Sequence, residues 1–172
     1  MRTTLLQLLA LMGLAAASAI KRAPADPPGK TLAAISDTNF CLFLPPSPGG
    51  SIPGHIHDAV SFCTKETSQL QAPGHRTFPG GFIISAHFVA KRKYVQITGR
   101  LDRKKYNLKK HDQGGQFSVR APPGSICKKY KKFVSFVEPN EGIYCLRCCN
   151  DGNCPIGMPT KGCRAVIKGD YS

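Results

Sequence analysis

The chain has 172 residues, with 24 lysines and arginines against 10 aspartates and glutamates, so its formal net charge at pH 7 is +14. This length suits one domain of ordinary size after removal of an N-terminal leader. No later segment approaches about 18 uninterrupted apolar residues, which excludes a predicted transmembrane helix there. The excess of positive charge favours anionic partners.

The N-terminus predicts secretion. A positively charged start at Met1-Arg2 precedes a short apolar run over residues 5–15, and small residues follow at 17–19. This order is typical of a signal peptide, which we place at residues 1–19; the alternative is a buried N-terminal helix. Lys21-Arg22 resembles a dibasic processing site, so residues 20–22 would form a short pro-segment and the mature chain would start at Ala23. The expected localisation is therefore secreted and extracellular.

Residues 23–38 are predicted to form an extended, poorly ordered leader, and residues 39–172 a single cysteine-rich β domain. Short apolar or alternating runs, bounded by proline and glycine, predict the strands. Residues 57–64 fit a short helix or a short strand. The predicted strands, with a charged hairpin turn at 90–93, cover residues 39–44, 82–89, 94–101, 116–119, 133–137, 143–148 and 164–167.

The run 94–101 has the clearest alternation, with Val95 and Ile97 toward one side and Gln96 and Thr98 toward the other. Such a strand is typical of an antiparallel sheet that contacts solvent on one face. No internal repeat or βαβ alternation is present. The sequence therefore predicts an all-β fold, a disulfide-stabilised antiparallel sandwich or small barrel of about seven short strands.

Six of the eight cysteines lie between Cys127 and Cys163, a density typical of a disulfide-stapled secreted domain. The sequence does not decide how they pair. Cys145-x2-Cys148 superficially resembles a zinc ribbon or a thioredoxin-like pair, but secretion and the vicinal Cys149 favour structural bridges. We expect no metal and no cofactor. The predicted disulfide cysteines are Cys41, Cys63, Cys127, Cys145, Cys148, Cys149, Cys154 and Cys163.

The positive charge is concentrated in one segment. Residues 91–132 hold 14 of the 24 basic residues but only two acidic ones. Such a segment attracts polyanions, although it could also be only a solubilising surface. Tyr130 lies among four lysines and could stack on a base or a sugar ring. The candidate contacts on one cationic face are Lys91, Arg92, Lys93, Arg103, Lys104, Lys105, Lys109, Lys110, Lys128, Lys129, Tyr130, Lys131 and Lys132.

The sequence gives little indication of hydrolytic activity. The chain has no Gly-x-Ser-x-Gly and no His-Glu-x-x-His. A small basic ribonuclease remains an alternative, with His87 or His111 as the base and lysines as phosphate clamps. Asp102 and Asp112, which flank the basic loop, could form an acid/base pair. With no motif, we assign no catalytic residue and favour a non-enzymatic function.

Several short stretches resemble small secreted cysteine-rich proteins of fungi, namely residues 94–99, 112–116, 137–140 and 144–149. The resemblance implies an extracellular, effector-like or host-directed protein rather than a particular activity. We therefore predict a secreted basic protein that binds an anionic extracellular partner: a polysaccharide, a membrane surface or a nucleic acid. A host protein is a further possible partner. The alternatives are a small secreted hydrolase of an anionic polymer such as RNA, and a structural cell-wall protein.

Overall fold

A computed structural model describes residues 27–64 and 72–172. The predicted signal peptide at 1–19, the pro-segment at 20–22 and the first residues of the leader lie outside this range. Two single turns of 3-10 helix occur at Pro53–His55 and Arg103–Tyr106. The other elements within the described residues are β1 (Thr31–Ser36), β2 (Asn39–Leu44), β3 (Val60–Cys63), β4 (Arg76–Thr77), β5 (His87–Ala90), β6 (Tyr94–Arg100), β7 (Gly115–Phe117), β8 (Ile126–Cys127), β9 (Lys132–Glu138), β10 (Ile143–Cys149) and the helix α1 (Gly162–Val166).

The first sheet has the strand order β4-β3-β2-β1-β8. Its central pairs, β1 with β2 and β2 with β3, are antiparallel, whereas β4 and β8 join the two edges in parallel. β1 lies within the segment predicted as a poorly ordered leader, yet its first four residues are buried. The folded domain therefore begins before residue 39, because β1 completes the sheet between β2 and β8.

The second sheet has the order β5-β6-β10-β9-β7 and is antiparallel throughout. Its register defines two ends that matter for the functional site. At one end Cys149 lies opposite both Tyr94 and Lys132, and we call this the Cys149 end. At the other end Ile143 lies opposite both Arg100 and Glu138, and we call this the Glu138 end.

Aromatic side chains from the two sheets fill the space between them. Phe40 of the first sheet stacks on Tyr144 of the second with ring centres 5.5 Å apart. The ring centre of Phe43 lies 5.5 Å from that of Phe117 and 6.1 Å from that of Phe133. Burial of rings this large is the main favourable term in forming such a core. The prediction of an all-β, disulfide-stabilised, sandwich-like fold is confirmed, with ten strands in two sheets among residues 27–64 and 72–172 rather than about seven.

The C-terminal segment covers the outer face of the second sheet, where Val166, Ile167 and Tyr171 form a second buried cluster with residues of β9 and β10. The prediction that Gln96 and Thr98 face solvent is wrong. Gln96 donates to the backbone oxygen of Lys168 at 2.9 Å, and Thr98 to that of Asp170 at 2.6 Å. The predicted strand at 164–167 is also wrong, because α1 occupies most of it.

All eight cysteines form disulfides, as predicted. Cys127–Cys148 links the two sheets, whereas Cys41–Cys63 joins neighbouring strands of the first sheet. The remaining bridges are Cys145–Cys163 and Cys149–Cys154. In the described ranges, no helix has the length and apolarity needed to cross a membrane.

Candidate polyanion-binding site

The basic segment 91–132 is divided between the two ends of the second sheet. Lys91–Lys93 precede β6 and Arg103–Lys105 follow it, and the strand between them extends over about 20 Å. The residues predicted to form one cationic face therefore fall into two groups, separated by the length of β6. The Cys149 end carries Lys91, Arg92, Lys93, Lys128, Lys129, Tyr130, Lys131 and Lys132, and the Glu138 end carries Arg103, Lys104, Lys105, Lys109 and Lys110.

The first part of the Cys149-end cluster is the turn between β5 and β6. Lys91 donates its backbone N–H to the backbone oxygen of Tyr94 at 2.8 Å, which closes the hairpin. The side chains of Lys91, Arg92 and Lys93 are exposed at its tip. A short closed turn holds these charges in place without using their side chains.

The second part is the lysine turn, residues 128–132, which is held at both of its ends. Cys127 immediately before it is bridged to Cys148, and the Lys128 N–H donates to the backbone oxygen of Leu32 at 2.9 Å. Tyr130 donates back to the oxygen of Cys127 at 2.9 Å, and Lys129 takes a left-handed backbone conformation with φ of 66°. This tight reversal presents Lys129, Lys131 and Lys132 to solvent.

The loop after β10 approaches the same end. Asn150 accepts the backbone N–H of Lys131 at 3.3 Å, and Asp151 lies 3.8 Å from the ammonium of Lys93. The pKa of Asp151 is lowered first by the hydrogen bond from Asn153 and then by the nearby Lys93 and Arg92 charges. The cluster therefore keeps a strong positive excess, because its six lysines and one arginine outnumber Asp151, the carboxylate that contacts Lys93.

The basic residues at the Glu138 end lie on the second 3-10 helix and on the loop that follows it. Asp102 caps the short 3-10 helix by accepting the Lys104 N–H at 3.0 Å. The buried carboxylate of Asp112 accepts the backbone N–H of Ile52 at 2.7 Å and of Gly114 at 2.8 Å. The two acids that the sequence suggested as an acid/base pair thus each accept backbone N–H groups, Asp102 within its own turn and Asp112 from both a neighbouring residue and the distant Ile52.

The remaining alternatives from the sequence are a metal site, a redox cysteine pair and a histidine base. Cys145 and Cys148 belong to different disulfides, so they form neither a zinc ribbon nor a redox pair. Within residues 27–64 and 72–172, no group of three or more histidine, cysteine or acidic side chains is arranged to hold a metal ion. His87, in β5, lies 3.6 Å from the carboxylate of Asp170, whereas His111 is exposed on the loop before β7.

Some residues near the Cys149 end were not selected from the sequence. Arg147 donates two hydrogen bonds to the Gln96 side-chain oxygen, at 3.1 and 2.7 Å, and its guanidinium lies 4.3 Å from the centre of the Tyr94 ring. Burial lowers the pKa of Arg147. Ile35 and Val119 are exposed beside the lysine turn. The only sequence signal for Val119 was its position before a Pro-Pro-Gly break, which is typical of an exposed tip.

Comparison with known proteins gives two distant relatives, both from the fungus Mycosarcoma maydis. The chain is 29% identical to appressorium protein ROW2 over 147 residues, which covers 73% of this chain and 48% of ROW2. It is 28% identical to appressorium protein ROW1 over 155 residues, covering 77% of this chain and 35% of ROW1. The chain thus spans about half the length of ROW2 and about a third of ROW1.

No family model and no solved structure matches the chain. The resemblance to fungal proteins noted from the sequence is supported at this coarse level, by similarity to two appressorium proteins of a fungus.

Proposed function

We propose that this protein is a secreted, effector-like fungal protein that binds an anionic extracellular partner without catalysing a reaction. The observation that carries the proposal is the convergence of two lysine-rich turns, 91–93 and 128–132, at the Cys149 end of the second sheet. The similarity to fungal appressorium proteins supports the effector-like part. Four disulfides also suit an oxidising extracellular environment.

The attraction of a polyanion depends on where the lysines lie and not on the net charge alone. Exposed lysines gain little from single ion pairs in water, but several held together produce a local field that attracts a multivalent anion. Backbone hydrogen bonds and a disulfide fix the backbone of the lysine turn, so little backbone conformational entropy is lost when a partner binds. This attraction should weaken as salt is added.

A charge-matched pair of variants tests the proposal. Replacing Lys129, Lys131 and Lys132 by serine removes three exposed charges from the Cys149 end, and replacing Lys104, Lys105 and Lys110 by serine removes three from the Glu138 end. Binding of a labelled heparin oligosaccharide would be measured by fluorescence polarisation at several salt concentrations. We expect the first variant to lose about tenfold in affinity and the second less than about twofold. Equal losses would contradict the assignment.

The secreted location is tested separately. Expression of the full chain in a fungal host should release protein whose N-terminus is Ala23, the residue after the dibasic pair. Recovery of intact Met1 on protein retained inside the cell would contradict it.

Hydrolysis of an anionic polymer has one supporting geometry, the approach of Asp170 to His87 at 3.6 Å. A carboxylate that orients an imidazole can help it act as a general base. If the protein degrades RNA and His87→Ala abolishes the degradation, the non-enzymatic proposal is wrong.

A further inference from the structure

Two grooves are lined in part by Tyr130. The first, of about 300 Å³, lies between the sheets and is lined by Ile35, Phe88 and Val95, with Lys128 and Lys129 at its rim. We call it the β1 groove. The second, of about 240 Å³, is lined by Val119, Ile126 and Phe133, with Lys131 and Lys132 at its rim, and we call it the β9 groove. Tyr130 lines both grooves.

The lips of these grooves carry exposed aliphatic side chains. Val119 is 77% exposed beside the β9 groove, and Ile35 is 45% exposed beside the β1 groove. Large aliphatic side chains on a monomer surface are individually unremarkable, but an apolar patch rimmed by charge indicates an interaction surface. Here the apolar lips and the lysines occupy the same end of the molecule.

Because exposed aliphatic side chains lie beside the lysines, some kinds of anionic partner fit this surface better than others. A soluble polysaccharide or nucleic acid would contact the lysines but leave Ile35 and Val119 in water. An anionic bilayer offers both phosphate-bearing head groups and an apolar layer a few ångströms beneath them. Lysine side chains keep their ammonium at the head groups while their methylene stems lie in the apolar layer, and tyrosine prefers the same boundary.

We infer that the Cys149 end is a docking surface for an anionic phospholipid bilayer, into which Ile35 and Val119 insert while the lysines around Tyr130 contact the head groups. This inference rests on the proposed function, since it names the partner class of the same cationic surface. The grooves beside Tyr130 receive the upper parts of acyl chains, because their linings are mainly apolar.

Vesicle sedimentation tests the inference. The full mature chain is incubated with phosphatidylcholine vesicles that contain or lack phosphatidylserine, at low and high salt. We expect binding only to the anionic vesicles, and we expect Ile35→Thr and Val119→Thr each to weaken it by about fivefold. The matched control is Ile84→Thr, because Ile84 is 55% exposed but hydrogen-bonds through its backbone to Arg100 at the Glu138 end. This control should change binding by less than about twofold.

Heparin binding, measured on the same variants, separates this inference from the proposed function. Ile35→Thr and Val119→Thr should leave heparin affinity unchanged, whereas the serine variant of Lys129, Lys131 and Lys132 should lower binding to both heparin and vesicles. If heparin binds and anionic vesicles do not, the bilayer inference is wrong and the proposed function stands. Vesicle binding that is insensitive to both apolar substitutions also overturns the inference. Failure to bind either probe overturns both proposals.

Discussion

We expect removal of the Cys127–Cys148 disulfide to weaken polyanion binding by more than the accompanying loss of stability explains. It closes a loop with a sequence separation of 21, and Cys41–Cys63 closes one of 22. Loop-closure entropy gives each bridge a contribution of about 3 kcal/mol to the free energy of unfolding. Replacing either pair by alanine should therefore destabilise the protein by a similar amount, which makes the two variants a matched pair.

Their effects on the lysine turn should differ. Cys127 directly precedes Lys128, so removal of its bridge frees the start of the turn, whereas Cys41–Cys63 lies between β2 and β3 in the other sheet. Fixing the backbone of one residue costs about 1 kcal/mol, which corresponds to about fivefold in affinity. We expect the Cys127→Ala/Cys148→Ala variant to lose about this much heparin affinity, and the Cys41→Ala/Cys63→Ala variant less than about twofold.

Urea unfolding followed by circular dichroism would establish the two losses of stability. Heparin binding would then be measured at a temperature where both variants remain folded. If the two variants bind heparin equally weakly while equally folded, the lysine turn does not depend on its own bridge, and the reasoning is refuted.

Three further predictions concern single side chains. Burial raises the pKa of Glu138 above its ordinary value of 4.5, although a backbone hydrogen bond from α1 opposes this. The native state then holds this proton more tightly than the unfolded state, so stability should fall as pH rises from 4.5 through the native pKa. Glu138→Gln should flatten that fall in urea titrations across this range. Asp112→Ala leaves the buried N–H of Ile52 and the partly buried N–H of Gly114 without their acceptor and should cost about 3 kcal/mol, measured by urea unfolding. Tyr144→Phe removes one hydrogen bond of 2.8 Å to a backbone oxygen and should cost about 1 kcal/mol, measured by thermal unfolding.

The strands were readable from the sequence where a run is apolar throughout, as in β2, or alternates between apolar and polar residues, as in β6. The hairpin of β5 and β6 was predicted because Val95 and Ile97 alternate with polar residues, and the structure has it. The burial of Gln96 and Thr98 was not readable. It depends on backbone oxygens 72 residues further along the chain, and a side chain that donates to so distant a backbone oxygen leaves no local pattern in the sequence.

The candidate site, too, was only partly predictable from the sequence. The sequence identified the basic segment and the exposure of the lysines in 128–132, since neither a strand nor a helix could bury them. It could not show that β6 carries the chain from one end of the sheet to the other between the two basic groups. Contiguity in sequence was interpreted as contiguity in space, and a single strand of about 20 Å is enough to break that relation.

The cysteines near the C-terminus fix loops at the Cys149 end of the second sheet. Large aromatic side chains already fill the core, so the bridges are not substitutes for a missing one. Adjacent residues of a strand point to opposite faces, and accordingly Cys148 bridges to Cys127 while Cys149 bridges to Cys154. One bridge fixes the start of the lysine turn, and the other fixes the loop that carries Asp151 toward Lys93. The vicinal pair therefore anchors two loops to the same end of the sheet, which holds in place the turns that form the proposed binding surface.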